Sequence, residues 1–145
     1  MLNTITMSFS LDTTDATVPL GFEAWINDVK FHDTDHVTGL EQITTEISDD
    51  DAEHDLRLVL KHKLPEHTRV DEAGTIVSDA RLVVKDLAFD EITLGHMVTE
   101  QAMYTHNFNG TGPSTQDKFY GELGCNGTVN LKFNTPIYLW LLEHM

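Results

Sequence analysis

TITMSFSL, residues 4–11, alternates without a slip: Ile5, Met7, Phe9 and Leu11 are apolar, while Thr4, Thr6, Ser8 and Ser10 are polar. Successive side chains of an extended strand point to opposite faces, so the stretch predicts a strand with one buried and one wet face. The same period recurs down the chain. GFEAWINDVKF predicts two strands joined at Asn27 and Asp28, a pair that tolerates turn geometry. In LEQITTEI the β-branched residues favour a strand carrying Ile43, Thr45 and Ile47 over a helix. LRLVLKHKL sets Leu56, Leu58 and Leu60 against Arg57, Val59 and Lys61, the cleanest interior strand, ended by Pro65.

Beyond it, HTRVDEAGTIV reads as a hairpin turning at Asp71–Gly74, with Gly74 free to take the left-handed conformation. ARLVVKDLAFDEITL continues with Leu82 and Val84, then Leu87, Phe89 and Ile92. A helical turn is expected over Leu94–Val98, followed by a strand face of Ala102, Tyr104, His106 and Phe108. NFNGTGPSTQDKFYGELG, dense in turn formers, predicts a long surface loop. Asn126-Gly127 is a hairpin cue ahead of Val129, Leu131 and Phe133. Thr135 and Pro136 open a short terminal helix that buries Ile137, Trp140 and Leu141, with Thr135 as its cap. Eight to ten strands with little helix and no linker predict one all-β domain over residues 1–145. Its architecture is an antiparallel two-sheet, jelly-roll-like β-sandwich with a short C-terminal helix.

The charge balance narrows the partners. With 24 acidic against 9 basic side chains the net charge is −15, so phosphate backbones and anionic membranes are repelled. The longest apolar run, Ile137–Leu142, is far shorter than a membrane span. Cys125 is the single cysteine and sits in a turn, which predicts an inert, partly buried thiol and excludes an intrachain disulfide. No basic region followed by a continuous apolar stretch opens the chain, so a cytoplasmic product as synthesised is expected.

Two constellations are candidate sites. The acidic run SDDDAEHD predicts a solvated loop in which Asp49, Asp51 and Glu53, with Asp50, offer the hard oxygen donors that calcium takes, although the EF-hand spacing is absent. FHDTDHVTG adds four potential metal ligands, His32, Asp33, Asp35 and His36, but its two histidines, at i and i+4, adjoin only on a helix, so the stretch reads as a polar turn. Around the long loop, Tyr104, Phe119 and Tyr120, with Phe108, form a sugar-stacking platform or, at sandwich spacing, part of the core. Asn109-Gly110-Thr111 and Asn126-Gly127-Thr128 match the glycosylation pattern but read as turns. No nucleophile elbow, phosphate-cradling loop or zinc pattern occurs, so the chain is not expected to be an enzyme.

The segments DLRLVLKHKLPEHTRVDEAGTIVSDARL, HNFNGTG and FYGELGCNGTVNLKFNTPIYLWLLEHM resemble small uncharacterised proteins encoded by tailed phages of marine cyanobacteria. The resemblance implies a virion-associated or accessory role. Two readings follow: a non-catalytic structural or interaction module that uses strand edges to bind protein partners or itself, and a carbohydrate-binding sandwich, with calcium as a candidate aid, that takes a glycan.

Overall fold

The computed structural model describes residues 4–107 and 112–144. Two antiparallel sheets face one another, as the alternation requires. The first runs β12 (Glu122–Leu123), β8 (Leu82–Phe89), β1 (Thr4–Thr13), β4 (Glu41–Ser48), with β9 (Ile92–Thr93) also pairing β8. The second runs β11 (Thr115–Lys118), β10 (Met103–His106), β13 (Gly127–Asn134), β5 (Glu53–Lys61), β2 (Gly21–Ile26), β3 (Val29–Thr34). A separate hairpin joins β6 (Thr68–Val70) to β7 (Ile76–Asp79) through Gly74, whose φ of +82° is open to glycine. Thirteen strands are present among the described residues, against the eight to ten expected, because strands of two to four residues carry no readable period.

The core lies between the sheets. Ile5, Met7, Phe9 and Leu11 are buried on one side, and Leu56, Leu58, Leu60, Val129, Leu131 and Phe133 on the other. Phe9 meets Phe22 edge-on at 6.0 Å and Phe89 meets Phe133 at 4.8 Å, so aromatic pairs lock the layers together. Each such side chain contributes about 1.5–3 kcal/mol by leaving water. Parity switches once, in β8: Leu82 and Val84 are buried before Asp86, and Leu87 and Phe89 after it. Asp86 sits at φ +57° where the β1 register slips, so one extra residue turns the strand over.

Three further expectations are corrected. The 107–124 loop contains β11 and β12, which pair β10 and β8. Asn126-Gly127 is no hairpin turn: β12 and β13 belong to different sheets, and the Asn126 amide instead accepts from Lys63 N–H (2.9 Å) and donates to Lys63 O (2.8 Å). Helix α1 occupies Met97–Gln101, three residues later than the predicted turn. The terminal helix α2 (Ile137–His144) does bury Ile137, Trp140 and Leu141, closing one end of the core against Phe89 and Phe133.

Candidate functional site: an aromatic-rimmed concavity at the β11 edge

Tyr104 and Phe119 belong to the interior. They are 7% and 1% exposed and meet edge-on at 6.3 Å. The Tyr104 hydroxyl donates to Cys125 O and accepts from Cys125 N–H at 3.0 Å, which ties β10 to the turn before β13. Burial holds both the Tyr104 phenol and the Cys125 thiol above their ordinary values, and Cys125 is half-buried, as expected. Tyr120 differs: it is 75% exposed. Adjacent residues on an extended chain face opposite ways, and Phe119 takes the inward one.

Tyr120 lines an open concavity of about 590 Å³ together with Gln116, Asp117, Lys118, Glu122 and Tyr104. The β11 edge supplies the first three. Their ends are oriented by neighbours: His106 Nε2 donates to Asp117 at 2.9 Å, and Arg81 pairs with Glu122 at 2.6 Å. An aromatic face beside amide, ammonium and carboxylate groups suits a ligand that is apolar on its ring faces and hydroxylated round its rim. Phe108, the fourth aromatic expected here, and the Asn109 acceptor lie outside the described residues.

Two other accessible aromatics, Trp25 and Tyr138, are already engaged. Trp25 has Lys30 and Arg57 over its ring at 5.5 and 5.2 Å, and its indole N–H donates to Glu23 at 2.9 Å. Tyr138 donates to Asp90 at 3.1 Å.

The acidic run folds differently from the expected calcium loop. His54 is buried in phase with Leu56 and Leu58, so β5 begins inside the run. Asn27 Oδ1 accepts from Asp55 N–H at 2.8 Å, which turns its Nδ2 toward His54 Nδ1 at 2.7 Å. An amide nitrogen only donates, so Nδ1 accepts and the Nε2 proton faces Asp50 Oδ1 at 2.9 Å. That hydrogen bond, with one from Thr135, holds the Asp50 carboxyl below its ordinary value. Thr135 Oγ1 also accepts from Ala52 N–H at 3.0 Å, so it fastens the loop where the sequence predicts a helix cap.

With Asp50 so committed, Asp49, Asp51 and Glu53 do not converge. Asp49 Oδ1 is shielded without a hydrogen bond, Asp51 turns out at φ +57°, and Glu53 is exposed on β5. Among the described residues no group of three or more His, Cys, Asp or Glu is placed to hold a metal, whereas calcium takes about six to eight oxygens. The His32–His36 stretch is dispersed too: Asp33 bridges Lys30 (2.8 Å) and Lys61 (2.6 Å), and His36 contacts Ala16 O at 2.8 Å.

His54 and Thr135 are buried and Asp50 is exposed, and the three do not form a hydroxyl–imidazole–carboxylate relay. Asp50 and Thr135 both lie at Nε2, the latter at 3.5 Å, whereas a hydroxyl nucleophile needs the nitrogen opposite its carboxylate.

Sequence reasoning named Tyr120 but missed Gln116, Asp117, Lys118 and Glu122, because a polar edge strand looks like loop. No helix among the described residues is long and apolar enough to cross a membrane. No family model matches the chain, and no curated protein is similar to it in sequence. Two solved structures share its fold. A selenomethionine form of the carbohydrate-binding module vCBM60, described with two families of calcium-dependent carbohydrate-binding modules, aligns with a TM-score of 0.56 at 9% identity over 88% of this chain and 89% of that one. vCBM60 in complex with galactobiose aligns with a TM-score of 0.50 at 12% identity over 89% of this chain and 97% of that one. What this chain shares with them is a β-sandwich.

Proposed function

We propose that the chain is a non-catalytic carbohydrate-binding β-sandwich that takes a glycan in the concavity lined by Tyr120. One observation carries the reading: a tyrosine 75% exposed to solvent lines a concavity together with residues that bear amide, ammonium and carboxylate side chains. A pyranose ring presents C–H groups to an aromatic face and hydroxyls, both donors and acceptors, to the polar wall. The sandwich likeness to a module solved with galactobiose supports the same reading. The reading rests on the concavity and not on calcium: among the described residues no group of three or more His, Cys, Asp or Glu is placed to hold a metal ion.

The test is a broad glycan array followed by calorimetric titration, with galactobiose as the first soluble probe. Tyr120→Ala is expected to weaken binding of whatever glycan the array identifies by about tenfold or more, roughly the loss of one stacking contact and its burial. Silence across the array, or a glycan bound equally well by Tyr120→Ala, contradicts the reading.

A further inference from the structure

Sheet edges present unpaired backbone, and proteins guard them with shortness, lysine, proline or bulges. Among the described residues, the edges of the two main sheets other than β4 are guarded, β9 by its length of two residues. Strand β12 has two residues, β11 has four and carries Lys118, and β3 carries Lys30 and slips register against β2 between Ala24 and Trp25. Strand β4 has none of these devices. EQITTEIS is eight residues long, lacks lysine, proline and glycine, and pairs β1 without a register break from Glu41 to Ser48, with no strand of the described residues on its other side.

Beside this edge the two sheets part to leave a cleft of about 300 Å³ between β4 and the β2–β3 hairpin. Val29, 67% exposed, and half-buried Phe31 form its apolar wall. Its charged lining is Glu46 and Asp50, and no lysine or arginine lines it. A net charge of −15 repels a second copy from an acidic edge and attracts a cationic segment.

We infer that β4 accepts an extended basic segment of a partner protein as an added strand. Parity sets its pattern. On β4, Ile43 and Ile47 point inward and Gln42, Thr44 and Glu46 outward. An added strand therefore places every second side chain over Val29 and Phe31, where an apolar residue fits, and the others beside Glu46, where lysine or arginine fits. Backbone pairing supplies the affinity, and the alternation supplies the specificity. The inference is independent of the glycan reading, since the cleft and the Tyr120 concavity share no residue.

The probe is the blocked peptide Lys-Val-Lys-Val-Lys-Val-Lys, compared with Lys-Lys-Lys-Lys-Val-Val-Val of equal charge, read by fluorescence anisotropy and by amide hydrogen exchange of Glu41–Ser48. The alternating peptide is expected to bind, to bind less tightly as salt rises, and to slow exchange in β4. Val29→Lys and Glu46→Lys, both at exposed positions, are each expected to weaken it by about tenfold, with folding verified by thermal unfolding. Equal binding of the clustered peptide, unchanged exchange in β4, wild-type affinity in both variants, or pairing of β4 between copies without peptide would each overturn the inference.

Discussion

The two open sides of the sandwich leave unpaired backbone and manage it in opposite ways. At the β11 side the edge is four residues long, carries a lysine and borders a wide concavity lined by an exposed tyrosine. At the β3–β4 side the β4 edge runs eight residues without a lysine and borders a narrower, acid-rimmed cleft. On the two proposals made above, the first side takes a neutral hydroxylated ligand and the second a cationic strand, so one fold would carry two recognition surfaces of different chemistry. A buried polar hub backs each side. Lys63 lies behind the first, its side chain fully buried and its Nζ donating to Asp79 (2.5 Å), Ala80 O (2.6 Å) and Gly124 O (2.7 Å). His54 lies behind the second.

Lys63→Met should have the largest effect. It strands one carboxylate and two carbonyls at once, and a loss of about 3 kcal/mol is expected in urea unfolding. Exchange should rise first around Gly124 and Tyr120, and an unchanged unfolding midpoint would deny Lys63 its role as anchor. His54→Ala is expected to cost less, about 2 kcal/mol, because Asp50 can turn to water. It should loosen the β4 side and leave glycan binding intact.

Acid should act through carboxyls held low by their partners. Asp33, accepting from Lys30 and Lys61, is held at about 2, and Asp50 is lowered by His54. A carboxyl lower in the folded than in the unfolded chain contributes stability that is complete above its unfolded value and lost as pH falls through the folded one. The unfolding temperature should therefore drop between about pH 4 and pH 2. Asp33→Asn should shallow that drop, and an identical profile would contradict it.

Smaller still are the surface changes that separate the two sides. Tyr120→Ala and Val29→Lys should each move stability by no more than about 0.5 kcal/mol. Each should weaken its own ligand by about tenfold and spare the other, and a variant that weakens both would merge the two surfaces into one. Calcium or a chelator should leave the melting temperature unchanged, since a ligand of the folded state would raise it.

The legible part of the fold is the part where both faces of a strand carry a contrast. Ile5 to Leu11, Leu56 to Leu60 and Val129 to Phe133 alternate between oil and water, and each lands in the core as its parity predicts. TQDK of β11 has no apolar residue on either face, so its strand character comes from pairing with β10 alone. His54 is in phase with Leu56, a signal that the surrounding carboxylates obscure. At the site, the letters FY at 119 and 120 do not reveal which ring turns inward; the pairing of the flanking β11 and β12 to opposite sheets decides it. Lys63, the most enclosed charge, has no sequence signature, because its acceptors come from residues 16 to 61 positions away.

The central claim is that the Tyr120 concavity is the glycan surface. The direct measurement is an amide chemical-shift titration with the tightest glycan found on the array. Perturbations confined to Gln116–Glu122 and their contacts, with Glu41–Ser48 silent, are the predicted result; perturbations centred elsewhere, or none with any glycan, would contradict it.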